Sequence, residues 1–309
     1  MIIFSSSLAR IAILSALLAG VTGQAGEDRV HQQGKIRVFY QTEGEHAVER
    51  DDRNQNGIPD QVENVLAQTV AAQLLFVETL GFPDPFQQER FRAASFLDIH
   101  IRHKNKLKSN GLAFDELQRF NKLGDPTGTV SIAFSVASSV KAESNLTPAH
   151  EFFHLIQYST TYFKNNWFAE GTARWSEAGL GVDNLGPVRE FVAWPLPKEQ
   201  SSALFKMSYE ASEHFWNPLA AKSDSKGLIP DSPALKLLQS MRYTDGTAVL
   251  KDLRFTGWAF IRAVVIELGK IDDLAFRESG YTEWSEANQF SSKNNSTILR
   301  AVEAVVSHQ

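Results

Sequence analysis

The chain has 309 residues, of which 43% are apolar, 22% charged and 11% aromatic, a profile that excludes disordered, collagen-like and coiled-coil proteins. Acidic residues outnumber basic ones, 36 to 31, for a net charge of −5 with no long run of like charge, so a nucleic-acid partner is not expected. Cysteine is absent, which removes disulfides, thiolate metal sites and thiol nucleophiles together and leaves any metal to imidazole and oxygen donors.

In chain order, Arg10 precedes an apolar run from Ile11 to Val21 that is too short to span a bilayer of about 30 Å. Residues 1–24 read as a signal peptide, with small residues Val21, Gly23 and Ala25 near the cleavage point; an uncleaved anchor is the alternative. A secreted or periplasmic bacterial protein follows, with no stable membrane insertion once the signal is removed. Ile36–Tyr40 alternates like a strand, and Val62, Val65, Leu66, Val70, Leu74 and Leu75 recur at helical spacing between Asp60 and Leu80, with Gly81 as the stop. Further strands are predicted at Phe96–Ile101 and Thr129–Val136. After about residue 145 the spacing turns helical: 148–158, 169–178, 204–219, 257–268 and 298–306, with loops at 222–233 and 286–296. Strands early and helices late predict an α+β chain, with a sheet-bearing N-terminal lobe over residues 25–144 and a helical lobe over 145–309.

Two constellations carry chemistry. The first is His150-Glu151-Phe152-Phe153-His154, at the start of a helix that Thr147 caps and Pro148 opens. Residues four apart share a helix face, so both imidazoles reach one ion, while Glu151 is rotated off that line and is free to act as general base. Downstream, Trp167-Phe168-Ala169-Glu170-Gly171-Thr172-Ala173-Arg174-Trp175 brings in Glu170, and two His plus one Glu is a standard catalytic zinc set. The plain alternative is an amphipathic helix with two satisfied histidines. Tyr209 and His214 are candidates to donate to an oxyanion, with Tyr209 preferred. Glu177 reads as an outward-facing helix charge in preference to a partner for one of the histidines.

The second constellation is Asp52-Arg53-Asn54-Gln55-Asn56-Gly57-Ile58-Pro59-Asp60-Gln61-Val62-Glu63. Oxygen donors stand at the liganding positions of a twelve-residue calcium loop: the side chains of Asp52, Asn54, Asn56, Asp60 and Glu63 and the carbonyl of Ile58, with Gly57 at the turn. A structural calcium site is expected; a capped, Asn-rich turn is the alternative.

The His-Glu-x-x-His helix followed by Glu170-Gly171-x-Ala173-x-Trp175 resembles the gluzincin class of metallopeptidases. The order of leading strand, oxygen loop, Leu97–Ile101 strand and zinc helix is similar to a myxobacterial-type family of secreted metalloproteases, over roughly residues 35–220. Metzincins are excluded, because Gln157 and Thr160 occupy their Gly and third-His positions. One departure is Arg174, where thermolysin-like members carry an acidic residue. The resemblance implies a zincin-like fold with the active-site helix between the lobes, and a zinc endopeptidase acting on peptide or protein substrates. An exopeptidase using Glu143 or Glu177 to hold a substrate amine, and an inactive calcium-stabilised binding module, are the alternatives.

Overall fold

Strand β1 (Arg29–Gln33) pairs antiparallel with β2 (Ile36–Tyr40), which runs parallel to β3 (Phe96–Arg102). Between β2 and β3, helix α1 (Asp60–Ala72) continues as a π-helical stretch to Thr79 and stops at Gly81 with φ +69°. After β3 come the one-turn helix α2 (Lys104–Leu107), the short strand β4 (Gly111–Ala113) and strand β5 (Ser131–Ala137). The sheet order is β1-β2-β3-β5-β4, with a parallel centre and antiparallel edges. The computed structural model describes residues 28–119, 124–181, 195–224 and 226–307; the expected signal peptide lies outside them. No helix among the described residues is long and apolar enough to cross a membrane.

Strand alternation decides which face carries the core. Ile36, Val38 and Tyr40 stand in register with Leu97, Ile99 and Ile101, and these with Ile132, Phe134 and Val136, all buried. The opposite parity carries polar groups: the buried Arg37 guanidinium grips Asp98 through Nε (2.7 Å) and Nη2 (2.9 Å), and Ser131 Oγ donates to the same carboxylate at 2.7 Å.

Helix α3 (Thr147–Thr160) packs against α1, β4, β5 and α4 (Asn166–Ser176). Then follow α5 (Lys198–Leu204), α6 (Asn217–Ser223), α7 (Pro233–Ser240), α8 (Trp258–Ser279), α9 (Glu286–Gln289) and α10 (Asn295–Ser307). The mixed α+β class is therefore as predicted, and the buried apolar residues form one contiguous cluster from Ile36 to Val302.

Several elements differ from their sequence reading. The expected helix 204–219 is broken: α5 ends at Leu204, a turn carries Tyr209, and a π-helical stretch, Ser212–Trp216, leads into α6. Pro218 lacks the N–H that an uninterrupted helix needs there, and the widened turn before it absorbs the misfit. Thr147 is the first helical residue of α3 and not its cap; Asn145 Oδ1 does the capping work, accepting from Thr147 N–H at 2.9 Å and Thr147 Oγ1 at 2.6 Å. The stretch 286–296 holds α9 and a 3₁₀ turn in place of a loop. Strands β1 and β4 and helix α7 are additions to the predicted set.

Candidate metal and catalytic site

Helix α3 is buried on nearly every side, which explains why its sequence is apolar between the histidines. Phe153 packs edge-on against Phe76, Phe82 and Trp175, while Phe152, Leu155 and Ile156 are fully enclosed. This packing holds His150 and His154 rigidly on the face toward α4, 5% and 3% exposed. Their rings lie 4.8 Å apart and nearly perpendicular.

Glu170 on α4 completes the set. Its Oε2 stands 3.4 Å from His150 Nε2 and 3.5 Å from His154 Nε2, and one donor atom from each of the three residues falls within 4.8 Å of the others. Tetrahedral donors bound at about 2.0–2.1 Å are separated by about 3.3–3.5 Å, which the two distances to Glu170 match, so the three residues could hold a metal ion. Glu170 Oε2 is buried and makes no hydrogen bond, an orphaned carboxylate oxygen aimed at the two ring nitrogens. The chain's own donors thus fit a metal. Gly171, next to it, is glycine for a packing reason: a Cβ there would stand 2.7 Å from the Trp216 indole.

The remaining ring nitrogens are tied to oxygens. Glu177 Oε1 lies 3.0 Å from His150 Nδ1, and its second oxygen is paired with Arg174. Glu177 is therefore not the outward-facing charge predicted from sequence: it lies seven residues past Glu170, two full turns, and so returns to the same face. Gln157 Oε1 lies 2.7 Å from His154 Nδ1, and its amide nitrogen donates to Ala169 O and Thr172 Oγ1. Those two donations fix the amide, so Gln157 offers His154 an oxygen and His154 Nδ1 is the donor. Nε2 is left with its lone pair toward Glu170.

The electrostatics match a cluster built around a cation. Burial disfavours a charged His150, but the Glu170 and Glu177 carboxylates beside its two ring nitrogens and the charge of Glu151 overcome it and raise its pKa to about 10. Burial would likewise raise the Glu170 carboxyl, yet the two histidines press it well below the usual range. Glu151 is 5% exposed and its pKa is raised by burial, against the pull of both histidines and of the Ala113 main chain.

Around this centre, Tyr209 is 52% exposed, its ring 5.8 Å from that of His150, and burial together with the nearby Glu170 and Glu151 charges raises its pKa. His214, the other candidate, is solvent-exposed with Glu210 as its charged neighbour. Glu143 accepts from Asn64 Nδ2 at 3.2 Å, on the loop before α3. Tyr158 stacks on His154 at 5.4 Å, with Lys164 Nζ 5.2 Å from the tyrosine ring on its own account. Sequence reasoning missed Gln157, Tyr158, Gly111 and Ala113 as parts of the site. Gln157 had a readable signal, since it follows His150 by seven residues and shares its face.

In the second constellation, Asp52, Asn54, Asn56 and Glu63 converge. Asp52 accepts from the N–H groups of Asn56 (3.1 Å) and Gly57 (2.8 Å), and the Asn54 and Asn56 amides donate to Glu63. Ile58 N–H bonds to Asn56 Oδ1 at 2.8 Å, while Asp60 turns toward Arg53, accepting from its N–H at 3.1 Å. Gly57 holds φ +84° at the turn. Amide nitrogens face Glu63, so a cation held here requires both amides to reverse and present their oxygens.

Compared with protein-family models, curated proteins and solved structures, the chain matches none.

Proposed function

We propose that this protein is a secreted bacterial zinc peptidase with a zincin-like fold, cutting within peptide chains. The convergence of His150 Nε2, His154 Nε2 and Glu170 Oε2, with Glu151 one residue off the metal-binding line, carries this reading. His150, His154 and Glu170 would hold the zinc, which would supply a Lewis acid to polarise the attacking water and the scissile carbonyl. Glu151 takes the proton of the attacking water on its carboxylate and passes it to the departing amine. Burial keeps that carboxylate free of competing solvent and raises its basicity toward the range a general base needs. Tyr209, half-exposed beside Glu170, donates its hydroxyl proton to the developing oxyanion.

Two features favour an internal peptide bond. Strand β4 is the sheet edge next to Glu151, and a sheet edge offers an extended peptide backbone a partner. Of the acidic candidates for holding a substrate amine, Glu177 has both carboxylate oxygens engaged, by His150 and Arg174, and Glu143 accepts from Asn64. The loop Asp52–Glu63 is proposed as a calcium site of the same chain. A calcium-stabilised binding module without activity would have no use for Glu151.

The test uses the mature protein with and without Glu151→Gln. Near-stoichiometric zinc in both forms is expected, with cleavage of a denatured protein falling by roughly 10²–10⁴-fold in the variant. Absence of zinc from the wild type, or equal cleavage by both, overturns the reading. Equal rates on end-blocked and free peptides support an endopeptidase; loss of cleavage on blocking the amine supports the exopeptidase.

A further inference from the structure

Glu151 lies directly beneath the first residue of strand β4. A Cβ built on Gly111 would stand 2.2 Å from Glu151 Oε1 and 2.6 Å from its Cδ and Cγ, closer than any real contact. The backbone gives no reason for a glycine there, since Gly111 is not among the residues with positive φ. A glycine in a three-residue strand also costs pairing stability. What its missing side chain provides is space, and the Glu151 carboxylate fills it.

The pairing of β4 explains how the strand reaches that carboxylate. Ala137 N–H donates to Asn110 O, and Phe114 N–H to Ala133 O, so residues 110 and 114 turn their main chain toward β5. In an antiparallel pair the alternate residues, Gly111 and Ala113, then turn their main-chain groups to the free edge. There the Ala113 main chain acts on Glu151 in favour of its charged form, and Ser109 Oγ donates to Gly111 O at 2.5 Å, tying down the strand at the point of contact. Helix α3 fixes the stem of Glu151 from below and the β4 edge fixes its head from above.

We propose that Gly111 is a positioning residue whose absent side chain forms the socket for the Glu151 carboxylate. The inference rests on the reading of Glu151 as the general base. Adding one methyl forces the carboxylate to shift by about 1 Å to reach an ordinary contact, and a displacement of that size costs on the order of 100-fold in rate. The three atoms nearest the added methyl all belong to Glu151 and none to His150, His154 or Glu170, so zinc content is expected to be unchanged.

The experiment joins kinetics to a melting cycle. Gly111→Ala is expected to lower kcat by about 100-fold with KM nearly constant. It is also expected to lower the melting temperature by on the order of 5 °C through overpacking. In a Glu151→Ala background, where the socket is empty, the same substitution should leave melting nearly unchanged. An equal fall in both backgrounds, or an active wild type whose kcat is indifferent to Gly111→Ala, overturns the proposal. A wild type that cleaves no protein while the melting cycle still shows the coupling removes the peptidase reading and leaves the socket standing.

Discussion

Two ring nitrogens decide what the cluster can hold. Each histidine has one nitrogen turned to Glu170 and one turned to an oxygen, and the second fixes the tautomer of the first. Glu177 acts on His150 as a charged acceptor steadied by Arg174, so it both orients the ring and raises its basicity. Glu177→Ala is expected to weaken zinc binding by about 10–100-fold without unfolding the protein, measured by competition with a coloured chelator. Unchanged affinity would mean that His150 is oriented by packing alone. The three converging donors were legible from spacing, because residues four apart on a helix share a face and the chain leaves no thiolate rivals. Their hydrogen-bond partners were harder to read. Helical phase puts Glu177 on the face of Glu170 and Gln157 on that of His150, but a side chain on the right face can still point to solvent. Its direction is set by Arg174 in one case and by the Ala169 carbonyl in the other.

At the scale of elements, the C-terminal end of α3 is held by a carboxylate from α8. Asp272 is buried, accepting from Thr161 Oγ1 at 2.7 Å and Tyr162 N–H at 3.1 Å. Burial raises its pKa from an ordinary 3.8 to about 7, against the hydrogen bonds and the nearby Arg90 charge. Between those two values the folded state holds a proton that the unfolded state has lost. The resulting stability is fully present below about pH 4 and disappears as pH rises toward 7, by up to about 1.4 kcal/mol per unit. Asp272→Asn removes that titration. The stability difference between wild type and variant, from urea unfolding, is expected to shift against the wild type by about 2 kcal/mol between pH 5 and 8. Parallel pH curves would show that Asp272 stays ionised. Long periodic elements such as α1, α3 and α8 were readable because their burial pattern repeats over several turns. Strand β4 was not: Gly111-Leu112-Ala113 has neither β-branched residues nor length, and it is a strand only because β5 is there to pair with it. The break after α5 was hidden for the converse reason, since apolar spacing persists through a turn that packs on the same core.

For the whole molecule, the division of labour between core and ions can be separated by experiment. The apolar cluster runs unbroken from Ile36 to Val302, and Trp167, Trp175 and Trp216 are fully buried within it, so no ion is required to close the fold. Removing zinc with a chelator is therefore expected to leave the far-ultraviolet circular dichroism intact and to lower the melting temperature only by the lost binding energy. The oxygen loop is different in kind, because it lies at the surface and joins the end of β2 to the start of α1. Val48 N–H donates to Gln41 O, and Gln61 takes Glu49 N–H while donating to the Ser138 and Val140 carbonyls. Asp52 and Glu63 bring two formal charges into that loop, where backbone and asparagine amide N–H groups donate to them, and a divalent cation would neutralise both. Calcium at 100 times its dissociation constant stabilises a native site by about 2.7 kcal/mol, which for a chain of this size raises the melting temperature by roughly 5 °C. That rise should persist in Glu151→Gln and vanish in Asp52→Ala, whose zinc content stays at the wild-type level. If calcium leaves the melting of the wild type unmoved, the loop is closed by its own hydrogen bonds, those to Asp52, Asp60 and Glu63 among them.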